Sequence, residues 1–547
     1  MKSRYPEDKL TIIGGGIIGV LEAYFAYLDA QKAGKKIRVT INERNKNISD
    51  TTTSHIVPSL TPDEILAVVP RGQELVKKLR ILFSEPGGIR IDDVEGINNS
   101  DVAEKFIKQV QQYSNDEQGH QARTKILLEL GKMSMNLWQH IYDNADPRLK
   151  KILEESNFNP CREPNTNGEA LHDGYRIDLI YNVPNAKAKA NSMKADYEEL
   201  GYTSCKILSP KEVIARDPFL ADFCKNNSII DEFGERQWKD DSVALWRPGG
   251  CIDTQTLLPK LCDYLKDIMG KYTNESGQSK DCFQMKFERN VVGVSYNPES
   301  ENLEINGLRF FGKEPKIHKH QYEHSDYVFC PGEAVGTLKK LGFNEPAYSG
   351  FAGASLMLNI PIPTKQLVEQ YSKFNHCMEV HQEGVVLAWQ ARFRENKIFI
   401  GVAGTKAFYS DQRPHKDQAF AKDRNLLQLN MINDVLPEFI SLALGRDTSG
   451  KKLTIEDLSH LEKLGIAERW VGTRSVAYDG FPTLGSVYKK DCKITNARTT
   501  THLGSGGGSF SLASIFVSRS TLNKDQTEQD KFTQDVLRYG SSNRKFI

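Results

Sequence analysis

The chain has 547 residues, enough for one to three structural units with a large buried core. Lysine and arginine total 72 against 71 aspartates and glutamates, so the net charge of +1 argues against nucleic acid or an anionic membrane surface as a partner. The nine cysteines are scattered, odd in number and without a C-x-x-C pair. We therefore expect a reduced, cytoplasmic protein with no metal site.

Neither a signal peptide nor a membrane span is expected. The first eight residues lead directly into an apolar run. A signal peptide needs a longer leader, and a transmembrane helix needs about 18 or more apolar residues in a row.

The stretch from Lys9 to Arg44 organises the rest of the chain. Leu10–Ile13 is typical of a buried parallel strand, and Gly-Gly-Gly-Ile-Ile-Gly at 14–19 then matches G-x-G-x-x-G. A helical pattern follows, and Ile37–Ile41 predicts a second strand that ends just before Glu43. A strand, a glycine turn, a helix and an acid in this order indicate a dinucleotide site.

Each residue type in this motif has a physical role. Gly14 permits the tight turn, Gly16 lets the backbone approach a pyrophosphate, and Gly19 lets the helix pack close to the strand. The helix N-terminus offers unpaired N–H groups to the phosphates. Glu43 can accept hydrogen bonds from the ribose hydroxyls. The position of the motif at the start of a long chain, with matching segments downstream, favours FAD over NAD.

Hydroxyl-bearing residues and then helices follow the second strand. Thr51 to Ser54 would run under the pyrophosphate and ribityl chain of FAD, or form a plain polar loop. Residues 62–165 are mostly helical and polar, with amphipathic periodicity over Ala122–Tyr142. We interpret this block as a helical insertion beside the nucleotide domain. Its outer face is either solvated or binds a partner protein.

The chain becomes rich in strands from Gly174 onward. Ser209 and Asp253 are predicted to cap helices, the second of which reaches Met269. The remaining strands are predicted at Val291–Tyr296, Leu303–Ile305, Ser325–Gly332, Ser349–Pro363, Val385–Phe393 and Lys397–Ala403. A last strand from Lys493 leads into a glycine-rich turn at 504–508 and a helix, which makes a second site where a helix N-terminus can face a ligand.

The order of these segments resembles the D-amino-acid oxidase superfamily of FAD-dependent oxidoreductases, which includes glycine, sarcosine and dimethylglycine oxidases and dehydrogenases. The resemblance implies an α/β fold, with a Rossmann-like FAD-binding domain built on a parallel sheet and a substrate domain built on a mixed or antiparallel sheet. It is carried by Gly14–Gly19 with Glu43, Leu208–Leu220, Pro248–Leu258, Asp326–Gly332, Gly472–Gly485 and Leu503–Ser509.

The implied domains alternate along the chain. The FAD-binding domain takes 1–61, 246–340 and 469–525, the substrate domain takes 166–245 and 341–468, the helical insertion takes 62–165, and a polar tail takes 526–547. The FAD contacts expected from the motifs and the resemblance are Gly14, Gly15, Gly16, Ile17, Ile18, Gly19, Glu43, Arg44, Thr52, Thr53, Ser54, His55, Val292, Pro331, Gly332, Gly504, Ser505, Gly506, Gly507, Gly508 and Ser509.

Arg474 is the expected substrate-binding residue. Gly472–Gly485 is similar to the superfamily pattern G-x-R-P-x-x-x-D-G-x-P-x-x-G but has Ser475 where proline is usual. The arginine of this pattern clamps the substrate carboxylate in amino-acid-oxidising members, and a planar guanidinium suits that task. The structural alternative is an arginine that pairs with Asp479 or with a backbone carbonyl.

Two histidines have competing interpretations. His55 lies in a stretch similar to the S-T-x-H of dimethylglycine and sarcosine dehydrogenases, whose histidine is bonded covalently to the flavin, although Pro58 and Ser59 depart from that pattern. The resemblance thus implies either a covalent flavin link through His55 or non-covalent FAD with a loop histidine near the ring. His502, before the last glycine turn, either polarises the flavin or shapes the turn.

The expected function is oxidation of the C–N bond of a small amino acid or amine by hydride transfer to FAD, with oxygen, a quinone or another carrier as the electron acceptor. One alternative is a dehydrogenase for a 2-hydroxy acid or glycerol 3-phosphate, which requires a histidine base such as His55, His376, His381 or His502. A likeness to tRNA-modifying flavoenzymes is opposed by the balanced charge. A flavoprotein scaffold with little turnover, which binds a partner through its insertion, is the third alternative.

Overall fold

The computed structural model describes residues 9–55, 59–61, 117–159, 175–199, 202, 204–273, 276–297, 299, 302–310, 317–318, 325–332, 336–346, 348–371, 375–382, 385–409, 418–445, 452–503, 507–521 and 530–542. Most of the predicted insertion, residues 62–116, lies outside these ranges. Three residues of the last glycine turn, Gly504, Ser505 and Gly506, lie outside them as well.

The described helices confirm the helical predictions that fall within these ranges. They are α1 (Ile17–Lys32), α2 (Glu117–Asn144), α3 (Pro147–Glu155), α4 (Ala186–Glu199), α5 (Pro210–Arg216), α6 (Ala221–Asn226), α7 (Thr254–Met269), α8 (Thr337–Lys340), α9 (Lys365–Tyr371), α10 (Gln418–Val435), α11 (Glu438–Leu444), α12 (Ile455–Lys463), α13 (Ser511–Ser520) and α14 (Lys531–Gly540). Ser209 caps α5 in a capping box with Glu212, and the Asp253 side chain caps α7, as the sequence predicted.

The strands are β1 (Lys9–Ile13), β2 (Arg38–Asn42), β3 (Ser59–Leu60), β4 (Tyr175–Ile180), β5 (Lys206–Leu208), β6 (Ser228–Ile230), β7 (Arg236–Trp238), β8 (Val243–Pro248), β9 (Gly250–Cys251), β10 (Lys271–Thr273), β11 (Ser279–Asp281), β12 (Phe283–Lys286), β13 (Arg289–Asn297), β14 (Asn302–Phe310), β15 (Ile317–His318), β16 (Asp326–Phe329), β17 (Tyr348–Pro361), β18 (Asn375–Gln382), β19 (Val385–Arg394), β20 (Lys397–Tyr409), β21 (Ala467–Ala477), β22 (Thr483–Lys489) and β23 (Cys492–Thr501).

The first sheet contains six strands in the order β12-β2-β1-β16-β23-β22. The first five are parallel, and β22 runs antiparallel at the edge. Helices α1, α7 and α13 pack together beside this sheet around an apolar core that includes Ile12, Leu258 and Ile515. The parallel sheet predicted for the nucleotide-binding region is therefore present, and the strand that begins at Asp326 returns next to β1.

The second sheet contains eight strands in the order β21-β17-β20-β19-β18-β4-β8-β5. One face is apolar, with Leu356, Trp389 and Val402 buried among helices α5, α6 and α10 to α12. Side chains alternate between the two faces of a sheet, so Asp178 and Glu379 lie on the opposite face. That polar face is turned toward the first sheet.

Helix α2 occupies the amphipathic segment predicted at Ala122–Tyr142. Its apolar positions Leu127 and Leu130 are buried against α13 and α14, and the Trp138 indole N–H donates to the Gly508 carbonyl at 3.2 Å. Because its apolar stripe is covered by the chain itself, the periodicity of α2 requires no partner protein.

A buried ion pair ties the last strand of the first sheet to the first helix. Arg498 on β23 contacts both carboxylate oxygens of Glu22 on α1, at 2.5 and 2.6 Å, and both side chains are excluded from solvent. Arg519 lies 3.6 Å from the same carboxylate. A carboxylate that is buried from solvent is stable in its charged form only when positive charges such as these arginines pair with it.

Arg498→Met should lower the free energy of unfolding by about 3 kcal/mol, because it removes the bidentate partner of the buried Glu22 carboxylate and leaves it with the longer contacts to Arg519 and the Thr500 hydroxyl. Urea unfolding followed by circular dichroism measures this loss. Lys194→Met is the matched control, since its ion pair with Glu198 on α4 is exposed and should contribute little. Equal losses of unfolding free energy in the two variants would contradict a stabilising role for the buried Arg498–Glu22 pair.

Candidate functional site

A long cavity opens where the carboxyl ends of the parallel strands face the polar side of the eight-stranded sheet. It is lined by Ile13 at the end of β1, by Cys330 after β16, and by Ala388 and Ala403 of the second sheet. The end of such strands is the usual ligand position in doubly wound sheets. Its empty volume, open mouth included, is about 1340 Å³.

The glycine turn forms one wall of the cavity and tolerates no side chain at two positions. A Cβ on Gly14 would lie 2.0 Å from the Cys330 carbonyl oxygen, and Gly14 has a φ of +109°. A Cβ on Gly19 would lie 2.0 Å from the Gly14 carbonyl oxygen, so the helix could not pack on the turn. Gly16 and Ile17 line the cavity at the start of α1, where the Thr53 hydroxyl accepts the Ile17 N–H at 3.1 Å.

The carboxyl end of β2 supplies the polar residues at one end of the cavity. Glu43 accepts the N–H of Gly15 at 2.7 Å and that of Asn45 at 2.8 Å, which fixes its carboxylate at the cavity wall. The neighbouring Asn42 is buried, and within the described chain neither atom of its amide has a hydrogen-bond partner. An unsatisfied buried amide is costly, so a polar ligand group fits there. Arg44 lines the same end.

The other end of the cavity is formed by β21 and the end of β23. Thr473, Arg474 and Ser475 line it from β21, and the segment Thr500–Leu503 lines it from β23 and the turn that follows. Val476 forms a β-bridge with Leu503, which holds the two walls together. Ala388 and Ala403, paired across β19 and β20, offer a small apolar surface between them.

His502 lines the cavity, but its ring nitrogens contact other protein groups. Nδ1 lies 2.7 Å from the Thr483 hydroxyl, and Nε2 lies 3.1 Å from the buried Glu345 carboxylate. The Tyr348 ring stacks on the imidazole, and the backbone of His502 has a φ of +60°. These contacts favour the interpretation in which His502 shapes the turn.

His55 does not line the cavity. Its ring stacks on Trp470 with centroids 4.7 Å apart, Nδ1 lies 3.1 Å from the Thr51 carbonyl oxygen, and Nε2 lies 3.2 Å from Glu468. The hydrogen bond from His55 lowers the pKa of the Glu468 carboxyl. The Trp470 ring in turn covers Gly472, where a Cβ would lie 1.7 Å from the indole.

The expected cofactor contacts divide into three groups. Those that line the cavity are Gly14, Gly16, Ile17, Ile18, Glu43, Arg44, Thr53, Pro331, Gly332 and Gly507. Those that are described but do not line it are Gly15, Gly19, Ser54, His55, Val292, Gly508 and Ser509. Gly504, Ser505, Gly506 and the side chain of Thr52 lie outside the described residues.

Some lining residues were not expected from the sequence. Val291 lines the cavity, whereas Val292 points outward and is 38% exposed, because neighbouring residues of a strand face opposite sides. Asn42 could have been found, since it immediately precedes the predicted acid Glu43. Ala388 and Ala403 carry no local signal, because they reach the cavity only through strand pairing.

A network of buried charges lies one strand beyond Ala388 on the same sheet face. Glu379 on β18 is paired with Ala388 and accepts from Arg176 at 3.0 Å and from Arg247 at 3.1 Å, and both arginines also contact Asp178. Burial alone would raise the pKa of Glu379, but Arg176, His381 and Arg247 together hold it well below its usual range.

His381 completes this network. Its Nε2 lies 3.3 Å from Glu379 and its Nδ1 lies 3.4 Å from the Lys189 ammonium, and burial lowers the pKa of the imidazole. Asp178, Glu379 and His381 could bring three ligand atoms within 4.8 Å of one another. The two arginines already neutralise both carboxylates, so the network has no charge left to attract a cation.

Solved structures match this chain over nearly its whole length. Iminodiacetate oxidase from Chelativorans sp. BNC1 aligns with 97% of this chain and 98% of its own, at a TM-score of 0.52 and 12% sequence identity. L-proline dehydrogenase from P. horikoshii aligns with 98% of this chain and 96% of its own, at a TM-score of 0.50 and 14% identity. No protein-family model and no curated protein sequence matches the chain.

The chain therefore shares the fold of iminodiacetate oxidase and L-proline dehydrogenase. At 12% and 14% identity, the two alignments establish this fold alone. The chemistry of this chain therefore has to be argued from its own residues.

None of the helices within the described ranges is both long enough and apolar enough to span a lipid bilayer.

Glu379→Gln should destabilise the protein by about 3 kcal/mol at pH 7, because it breaks buried pairs with two arginines. The folded pKa of Glu379 lies below its unfolded value of about 4.3, so the stabilisation is complete above that pH and is lost as the pH falls toward the folded pKa. Urea unfolding should show that the difference in the free energy of unfolding between wild type and variant is smaller at pH 4 than at pH 7. Glu235→Gln, at an exposed carboxylate, is the control, and a pH-independent difference would contradict the account.

Proposed function

We propose that this protein is an FAD-dependent oxidoreductase that oxidises the C–N bond of a small amino acid or amine in the cytoplasm. The observation that carries the proposal is the arrangement of one continuous cavity. The glycine turn and Glu43 line one end, and Arg474 lines the other. A bound FAD would supply the hydride acceptor for this oxidation, and water would hydrolyse the imine product.

The fit to FAD rests on groups that a dinucleotide would satisfy. The Glu43 carboxylate and the Asn42 amide would hold the adenosine portion. The N-terminus of α1, reached over Gly14 and Gly16, would hold the pyrophosphate, because its N–H groups and its dipole favour an anion. The N-terminus of α13 would hold the flavin end, next to Gly507.

Arg474 would bind and orient the substrate. Arg474 lines the cavity, as do Ala388 and Ala403, whose side chains are too small to fill the space. A bidentate contact with a carboxylate fixes two points of the substrate, and an apolar surface opposite it excludes water. This combination suits an amino acid whose α-carbon must be held in one orientation.

The described histidines favour an amine over a hydroxyl substrate. Oxidation of a hydroxyl requires a general base, whereas an amine that binds in its neutral form does not. The ring nitrogens of His55, His381 and His502 all contact other protein groups. The side chain of His376 lies outside the described residues. The electron acceptor is oxygen, a quinone or another carrier.

Anaerobic addition of N-methyl and primary amino acids should bleach the flavin absorbance of the holoprotein. Arg474→Ala should lower kcat/KM for an amino acid about 100-fold, through loss of a buried charge pair worth about 2.7 kcal/mol. The same substitution should leave kcat/KM for a simple amine, which has no carboxylate, nearly unchanged. Stopped-flow reduction measures both rates.

The matched control is Arg469→Ala on the same strand, where the side chain pairs with Glu462 and does not line the cavity. Equal losses for the amine and the amino acid would contradict the role of Arg474. Bleaching only by 2-hydroxy acids or glycerol 3-phosphate would contradict C–N oxidation. A flavin that no substrate bleaches would indicate a scaffold protein.

A further inference from the structure

The amide of Asn42 is a polar group in the cavity wall that other protein groups leave without a hydrogen bond. Asn42 is the last residue of β2, is 1% exposed and lines the cavity. Neither its Nδ2 nor its Oδ1 has a partner in the part of the chain that the structure describes. Asn433 on α10 shows the usual arrangement of a buried amide, because it donates to the Leu453 carbonyl at 3.0 Å and accepts the Leu453 N–H at 2.8 Å. An open donor beside an open acceptor at Asn42 therefore indicates a ligand that supplies one of each.

The strand register directs the Asn42 side chain toward the cavity. Ile13 on β1 is the parallel partner of Asn42, and paired residues of neighbouring strands point to the same side of a sheet. Ile13 packs in a buried apolar cluster with Val291, and both residues line the cavity. The strand that carries Val291, β13, also contacts β2. The amide therefore lies beside an apolar surface formed by two branched side chains.

Glu43 serves the other side of the same strand. Its N–H continues the strand pairing by donating to the Lys286 carbonyl at 2.8 Å, so its side chain points away from that of Asn42. The Glu43 carboxylate accepts the Gly15 N–H at 2.7 Å, next to the glycine turn. The two polar groups at the end of β2 thus meet different parts of a ligand. A ribose held by the Glu43 carboxylate would leave the Asn42 amide to the base attached to that ribose.

An amide next to apolar side chains suits an adenine base better than it suits a phosphate. Phosphate oxygens accept hydrogen bonds, so a phosphate would leave the Asn42 Oδ1 without a donor. Adenine presents its 6-amino donor next to a ring nitrogen that accepts, and an asparagine amide can pair with both atoms at once. The flat face of the base would cover the apolar surface of Ile13 and Val291, while the amide fixes its orientation.

We propose that the Asn42 amide binds the adenine base of FAD through two hydrogen bonds and makes the site selective for an adenine dinucleotide. The proposal rests on the function proposed above, because it assigns a residue within the same cofactor site. The amide Oδ1 accepts from the 6-amino group, and Nδ2 donates to the neighbouring ring nitrogen. A base without the 6-amino group would leave the buried Oδ1 unpaired, and such an unpaired group is a source of discrimination between ligands.

Asn42→Leu tests this assignment, because leucine has a similar size but neither a donor nor an acceptor. Titration of the folded apoprotein with FAD, followed by flavin fluorescence, gives the Kd. Loss of two hydrogen bonds, at about tenfold each, should raise the Kd for FAD about 100-fold. The urea midpoint of the apoprotein should not fall, because the amide forms no hydrogen bond with the described residues.

Asn433→Leu is the matched control. This asparagine is also buried and does not line the cavity, and both atoms of its amide are bonded to Leu453. The substitution should lower the urea midpoint and leave the Kd for FAD unchanged. A lower urea midpoint in Asn42→Leu together with an unchanged Kd would overturn the proposal, because the Asn42 amide would then have a structural role.

A flavin dinucleotide whose purine lacks the 6-amino group locates the contact on the base. The wild-type protein should bind this analogue about tenfold more weakly than FAD. Asn42→Leu should bind the analogue and FAD equally, because the partner of the 6-amino group is then gone. If Asn42→Leu weakened the binding of both dinucleotides by the same factor, the amide would contact the ribose or a phosphate, and the proposal would be wrong.

The outcomes separate this proposal from the one it rests on. A folded wild-type chain that binds no FAD would overturn both. Binding of FAD that depends on Asn42 and on the 6-amino group, without oxidation of any amine, would overturn only the proposed reaction. Wild-type affinity for FAD in Asn42→Leu would overturn only the role of Asn42.

Discussion

The close approach of two main-chain segments, Gly14 after β1 and Cys330 after β16, is the contact on which the rest of the structure depends. No other residue fits at position 14, because a Cβ there would lie 2.0 Å from the Cys330 carbonyl oxygen. The contact brings the ends of two parallel strands together and directs the N-terminus of α1 into the cavity. Gly19 extends the same constraint by letting the helix pack directly on the turn. These main-chain contacts alone would form a site for phosphates at the helix N-terminus, without any polar side chain.

The two faces of the second sheet have different roles, because one packs in a hydrophobic core and the other lines the cavity. Its apolar face packs on helices α5, α6 and α10 to α12 and forms one of the two large described cores. Its polar face carries small residues at the cavity, Ala388 and Ala403, and buried ion pairs beside it. The ion pairs hold the sheet rigid without filling the cavity, since their charges are compensated within the network. One pattern of alternating side chains thus produces both a scaffold and a binding wall.

Much of the fold could be predicted from local patterns. The strand, glycine turn, helix and acid of the first 44 residues are each determined by neighbours in sequence, and the structure places them as expected. Ser209 with Glu212 and Asp253 specify their helices through capping contacts that span at most three residues.

The substrate end of the site was less predictable, because distant segments build it. Ala388 and Ala403 carry no chemical signal, and only the register of β19 and β20 brings them to the cavity. The motif around His55 resembled a flavin-linking stretch, yet the ring stacks on Trp470 and contacts Glu468, both supplied by β21. Arg474, in contrast, could be predicted, because its motif is local in sequence.

The central claim is that the cavity binds FAD, and titration of folded apoprotein with FAD, FMN and NAD by calorimetry tests it most directly. The account predicts one equivalent of FAD per chain. It also predicts weaker binding of FMN, which lacks the adenosine that Asn42 and Glu43 would hold, and weaker binding of NAD, which lacks the flavin ring. Absence of FAD binding by a folded chain, or a preference for NAD, would contradict the account.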